Sequence, residues 1–157
     1  MRILIQRVKS GRVTTAGNTV GEIGRGLLVL VGFSTEDSTA SFETVAKKLL
    51  NLRLWSSFSE LEGEEREKAE KRWDTSVVQN GYEILIVSQF TLYSTMNGNK
   101  PDFRKAKPGP EARELFDRLV ELLRKGYATE KVQTGSFGEY MQVENVIDGP
   151  VTLQWEF

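Results

Sequence analysis

The chain has 157 residues, of which 39% are apolar and 27% charged, the composition of an ordinary globular protein of about one domain. Its 21 basic and 22 acidic residues nearly cancel, which excludes a globally basic nucleic-acid binder and leaves room only for a local basic patch. Cysteine and histidine are both absent. Disulfides, thiol nucleophiles, Cys or His metal centres and Ser-His-Asp or Cys-His catalysis are therefore excluded, and an enzyme built from this chain works with carboxylates, lysines, hydroxyls, backbone groups or its substrate's own chemistry.

A chain of this length buries roughly two thirds of its unfolded surface. The longest apolar run, Leu27 to Val31, is far short of the roughly 20 residues that span a membrane. Polar residues follow the start immediately (Arg2, Gln6, Arg7, Lys9), so no secretory signal is expected and a cytoplasmic location is.

Residues 2 to 8 alternate, with Ile3 and Ile5 set against Leu4, Gln6 and Val8, and predict a first strand. Val13–Ala16 and Thr19–Ile23 flank Gly17-Asn18, a pair suited to positive φ, and predict a hairpin. Gly21-Glu22-Ile23-Gly24-Arg25-Gly26 has glycines in the wrong order for a phosphate loop and precedes a strand, so it predicts a tight β-connection. Leu27 to Phe33 predicts a buried strand. Ser38 or Thr39 opens a helix in which Phe42, Val45, Ala46, Leu49 and Leu50 recur at helical spacing, and Leu52–Trp55 adds a short strand. Between residues 59 and 72 lie six acidic and four basic side chains, the pattern of a solvated insertion.

Tyr82 to Tyr93 carries the most information. Ile84-Leu85-Ile86-Val87 predicts a buried strand, continuing to Leu92, yet it runs into Ser88, Gln89, Phe90 and Thr91. A hydroxyl, an amide and a second hydroxyl at the end of a core strand require partners or a ligand. A basic loop follows, Asn97 to Pro110, with Lys100, Arg104, Lys105 and Lys107 against Asp102, in keeping with either a solvated loop or a phosphate-binding one. Pro110 then starts a second amphipathic helix with Leu115, Phe116, Leu119, Leu122 and Leu123 as its apolar stripe and Gly126 in the C-terminal cap position. Tyr140–Ile147 and Val151–Phe157 predict two strands joined by a turn at Asp148-Gly149-Pro150. The order of elements predicts a single α+β domain: a curved, barrel-like, mostly antiparallel sheet with two main amphipathic helices.

Two separated motifs, Ser88-Gln89-Phe90-Thr91-Leu92 and Asn145-x-x-Asp148-Gly149-Pro150-Val151-Thr152, closely resemble the D-aminoacyl-tRNA deacylases (D-tyrosyl-tRNA deacylases). The resemblance runs along essentially the whole chain, through Ile5-Gln6-Arg7-Val8, Gly26-Leu27-Leu28, Pro101-Asp102-Phe103, Gln133-Thr134-Gly135, Phe137 and Met141. The chain departs from the common pattern in the charged insertion and in Lys71-Arg72-Trp73-Asp74, both outside the motifs.

The resemblance implies hydrolysis of the ester joining a D-amino acid, or mischarged glycine, to the 3′-terminal ribose of tRNA, with no cofactor and no metal. It implies that Ser88, Gln89, Phe90 and Thr91 form the catalytic pocket. There, backbone amides stabilise the oxyanion and the substrate's vicinal 2′-hydroxyl assists, which suits a chain without histidine. A rival scheme makes Thr91 a nucleophile and lacks a base to activate it. The resemblance further implies a homodimer in which Gly149-Pro150, as a cis pair, enters the partner's pocket, holds the substrate's α-amino group and leaves no space for an L side chain. The same resemblance implies that Arg7 anchors that pair and that Phe137 and Met141 line the terminal adenosine's site. The alternative function is that of a DNA-binding replication accessory related to this family. Those larger relatives carry an additional C-terminal tail, and this sequence stops at Phe157, so the deacylase expectation comes first.

Overall fold

The computed structural model describes residues 1–57 and 71–157. The charged insertion expected at 59–72 lies, as far as residue 70, outside the described residues. Ten strands and two α-helices are described: β1 (Arg2–Thr15), β2 (Asn18–Ile23), β3 (Gly26–Gly32), α1 (Phe42–Asn51), β4 (Arg53–Trp55), β5 (Thr75–Ser76), β6 (Glu83–Ser88), β7 (Thr95–Asn97), β8 (Lys100–Asp102), α2 (Gly109–Gly126), β9 (Val132–Thr134) and β10 (Gln142–Glu156).

The main sheet runs β10-β1-β3-β6-β9, with β2 paired to the outer half of β1. Pairing is antiparallel around β1 and parallel for β3-β6 and β6-β9. The fold is α+β as expected, and the sheet is mixed because each parallel pair is joined by a crossover through a helix, α1 then α2. Both helices cover one face. Ile3, Ile5, Leu27, Val29, Val31, Ile84 and Ile86 point to them and join Phe42, Val45, Leu49, Phe116, Leu119 and Leu123 in the principal core. Alternate residues face the other way: Val8, Val13, Ile23, Leu28, Leu85 and Val87 make a second core inside the curl of the sheet. A strand buried on both faces reads as an unbroken apolar run, which is why β3 and β6 do so.

Val8 and Val13 are an odd number of residues apart and still share a face. A bulge at Lys9 accounts for this, since Val8 pairs with Ile147 and Ser10 with Val146. One extra residue reverses the inside-outside phase and bends the strand, so β1 forms a single long strand serving both cores.

Three local expectations are corrected. The β1–β2 turn falls on Ala16-Gly17, both at positive φ (48° and 82°), one residue before Gly17-Asn18, because a two-residue hairpin needs left-handed backbone at both positions. Gly126 is the last helical residue of α2, packed against Leu50 of α1, and Tyr127 follows as the cap in extended φ. The third correction concerns Asp148-Gly149-Pro150, which is no hairpin turn. Residues 142–147 and 152–156 do not pair with each other; both pair with β1, as two parts of one strand, β10.

Candidate active site

β6 stops at Ser88, short of the strand to Leu92 that apolar content predicts. Gln89 leaves the sheet (φ −147°, ψ 84°) and residues 90–93 form a single 3-10 turn. The strand end is held from behind: the Gln89 amide donates to Val31 O at 2.7 Å, and its carbonyl accepts from Leu92 N at 3.3 Å. Gly32 permits this approach, because a Cβ there would stand 2.6 Å from Gln89 O. Any side chain at Gly32 displaces the turn. Neither Gly32 nor its role is legible in sequence, where it reads as one more residue of an apolar run.

A cavity of about 500 Å³ opens at this strand end. Ser88, Gln89, Phe90, Phe137 and Met141 are among the residues that line it. Five of the six residues that the resemblance assigns to the pocket and the adenosine site thus line one hollow, although some fifty residues of chain separate the two groups. Thr91 stands just behind the lining, its hydroxyl oxygen accepting a hydrogen bond from the Gln89 side-chain amide. Aromatic contacts fix the walls: Phe90 packs edge-on against Phe103 at 5.0 Å, and Phe137 against Phe116 at 5.7 Å. Phe90 nevertheless stays 56% exposed.

The titratable groups lining the cavity are Lys107, Glu139 and Tyr140. Lys107 is committed elsewhere: its ammonium donates to Thr35 O at 3.0 Å and lies 3.8 Å from Glu111, while its amide ties the loop to Phe33 O. The basic loop is therefore partly structural. Arg104, likewise, is paired with Asp102 at 2.7 Å, and the Arg104 amide and guanidinium hold the Asp102 carboxyl below the usual range. Among the described residues, the partner of the Thr91 hydroxyl is the Gln89 side-chain amide, and no carboxylate or lysine is bonded to that hydroxyl.

The second motif lies apart. Between Gln6↔Thr152 and Val8↔Ile147, residues 148–151 of β10 stand opposite Arg7 alone. Asp148 turns inward and is buried, while Gly149 and Pro150 remain exposed. Arg7 organises the bulge: its Nε donates to Asp148 O at 3.1 Å and lies 3.1 Å from Asp148 Oδ2, and its Nη1 donates to Leu54 O. Both side chains are about nine-tenths buried, where an unpaired charge is costly and a hydrogen-bonded pair is tolerated. The Gly149-Pro150 bond is cis. Gly149 has φ +138°, and a Cβ there would meet Val151 N at 2.7 Å and Val151 Cγ2 at 2.9 Å, so glycine is required on both counts. Arg7 thus contacts this segment through Asp148, a partner that the turn-like sequence Asp148-Gly149-Pro150 conceals. Gly149 and Pro150 do not line the cavity of their own chain.

β10 is an outer strand of the sheet, and it exposes Val143, Val146 and Ile147. Among the described residues, no helix is long and apolar enough to cross a membrane.

Comparison with known proteins adds the lineage. The family model described as D-Tyr-tRNA(Tyr) deacylase matches residues 4–156. A D-aminoacyl-tRNA deacylase of Chlorobaculum parvum is 45% identical over 98% of this chain and 95% of its own length. That of Drosophila melanogaster is 44% identical over 99% and 92%. A solved structure, the c-Myc DNA Unwinding Element Binding Protein, superposes with a TM-score of 0.87 at 42% identity, covering 100% of this chain and 99% of that one. The pocket motif and the glycine-proline bulge both fall inside the matched span, and the chain belongs to the D-Tyr-tRNA(Tyr) deacylase family.

Proposed function

We propose that this protein hydrolyses the ester between a D-amino acid, or glycine, and the 3′ end of tRNA, acting in the cytoplasm as a proofreader of translation. The single observation that carries the reading is the convergence of Ser88, Gln89 and Phe90 with Phe137 and Met141 around one cavity. An aminoacyl ester is already activated, so the protein need only hold the carbonyl at the Ser88–Thr91 strand end and offer backbone donors to its oxyanion. The first N–H groups of any helical turn lack an acceptor within it, and Phe90 and Thr91 open such a turn. The substrate's own 2′-hydroxyl takes the role of the missing histidine. Phe137 and Met141 present an aromatic face and a thioether to the terminal adenine.

Chiral choice belongs to a second copy of the chain. Gly149-Pro150 is exposed and outside its own cavity, on an outer strand whose neighbouring residues Val143, Val146 and Ile147 are uncovered apolar surface. A homodimer that covers this strand brings the pair to the partner's pocket, where its carbonyls accept from the substrate's α-ammonium and its backbone fills the space an L side chain needs. D-residues and glycine fit; L-residues do not.

The test is hydrolysis of D-tyrosyl-tRNA and L-tyrosyl-tRNA side by side at limiting enzyme, with the dimer checked by analytical ultracentrifugation. Rapid loss of the D ester, with the L ester decaying at its spontaneous rate, is the expected result. Spontaneous decay of both esters overturns the reading, and an active monomer overturns the shared site. The name of the DNA-element-binding relative supports a second reading, that of a DNA-binding replication accessory; the near balance of 21 basic against 22 acidic residues disfavours it.

A further inference from the structure

Phe137 belongs to two hollows. One side of it closes the cavity at Ser88, and the other ends a groove of about 740 Å³ along α2. α2 itself passes from one to the other: Gly109 and Ala112 line the cavity, and Arg113, Arg124 and Lys125 line the groove. The Arg113 guanidinium lies 5.8 Å from the centre of the Phe137 ring, at the junction. Across from the helix the groove offers the hydroxyls of Thr134 and Ser136.

The charges in the groove do not cancel. Its acidic residues are Asp117 and Glu121, and Glu121 is already bonded at 2.6 Å to Arg118, which is not part of the lining. Arg113 lies 3.9 Å from Asp117, an exposed pair that holds it weakly. Arg124 donates to Val132 O, a neutral acceptor that leaves its charge intact. A positive groove with hydroxyl donors, opening from an aromatic ring, is the arrangement that follows a single nucleic-acid strand.

We propose that this groove takes the phosphates of the nucleotides preceding the terminal adenosine, with Arg113 at the first and Lys125 and Arg124 further along. The inference rests on the deacylase reading above: an adenosine against Phe137 has the groove beside that ring as an exit for its 5′-phosphate. It assigns a length of tRNA that the ester-cleaving pocket does not need for chemistry, and so a source of affinity separable from catalysis.

The experiment compares two D-tyrosyl esters, that of tRNA and that of plain adenosine, which has no phosphate. Arg113→Gln and Lys125→Gln are the variants. Lys47→Gln, an exposed cation on α1 in a different hollow, is the control for charge alone. On the tRNA ester each groove variant loses roughly threefold to tenfold in kcat/KM at low salt, through KM, and its salt slope falls by about 0.7 for each contact removed. On the adenosine ester both match wild type. Equal losses on the two esters overturn the proposal, because Arg113 then serves only to position Phe137. Losses on tRNA no larger than that of Lys47→Gln overturn it as well, because the strand leaves elsewhere. If wild type cleaves neither ester, the deacylase reading fails first and the inference falls with it.

Discussion

Ser88–Thr91 ends a strand buried on both faces, whereas Gly149-Pro150 interrupts a strand that is exposed along most of its length. The first segment is held by backbone: Gln89 bonds to Val31 O, and Gly32 lets the two strands close on each other. The second is held by a charge pair reaching up from beneath, Arg7 with Asp148. A pocket wall that inherits its rigidity from the core needs no dedicated support. A projecting loop on an outer strand does, and the buried ion pair supplies it at a desolvation cost that only complete pairing offsets. The difference also separates the proposed roles, since a rigid pocket suits positioning of an ester and a braced projection suits entry into another subunit.

The largest effect comes from removing the brace. Arg7→Met removes the guanidinium bonded to the buried Asp148 carboxylate and should cost about 3–5 kcal/mol of stability, read from urea denaturation. A cost below about 1 kcal/mol breaks the contrast between the two segments. Arg7→Met with Asp148→Asn should recover much of the loss, because no uncompensated charge remains.

Gly149→Ala tests the projection itself. The added Cβ stands 2.7 Å from Val151 N in a backbone that disfavours L side chains, so the segment must shift, and a misplacement of about 1 Å at a positioning element costs about a hundredfold in rate. D-tyrosyl-tRNA hydrolysis should fall accordingly, and an unchanged rate and chiral preference would remove Gly149 from the site.

Thr91→Ala should cost less than about tenfold in kcat, the loss of one neutral hydrogen bond with Gln89. Single-turnover assays check this: complete loss with normal substrate binding reinstates Thr91 as nucleophile.

The smallest effect is on alkaline stability. Burial raises the phenols of Tyr93 and Tyr127 above their ordinary range, and the Tyr127 hydroxyl donates to Tyr82 O at 2.9 Å. A folded-state pKa above the unfolded one favours the neutral phenol. Its contribution is therefore complete below the unfolded value near 10 and is lost as pH rises through the higher folded value. Ultraviolet titration should show a late phase that Tyr127→Phe reduces, with little change at neutral pH.

Much of this was legible in the residues themselves. The amphipathic stripes of α1 and α2 and the apolar runs of β3 and β6 follow from periodicity, which reports burial directly. The polar residues from Ser88 to Thr91 marked a stretch in need of partners or a ligand, because buried hydroxyls and amides must be satisfied, but the stop of β6 at Ser88, short of Leu92, belongs to the structure. Less was legible where a local pattern had two solutions. Asp148-Gly149-Pro150 has the composition of a turn, and only the pairing of both flanks with β1 makes it a bulge in one strand. The bulge at Lys9, likewise, reverses the phase of β1 without any residue that announces it.

What the sequence alone determined is therefore local: which segments are amphipathic, which chemistry the missing histidine and cysteine rule out, and which two motifs belong together by resemblance. The tertiary structure decided what depends on approach in space. It set Phe137 and Met141 around one cavity with Ser88, put Gly32 behind Gln89, sank Asp148 onto Arg7 and left Gly149-Pro150 outside its own pocket. Hydrophobic periodicity encodes the face a residue presents, but the neighbour it meets depends on strand register and crossover connections, which are settled by packing across the whole sheet.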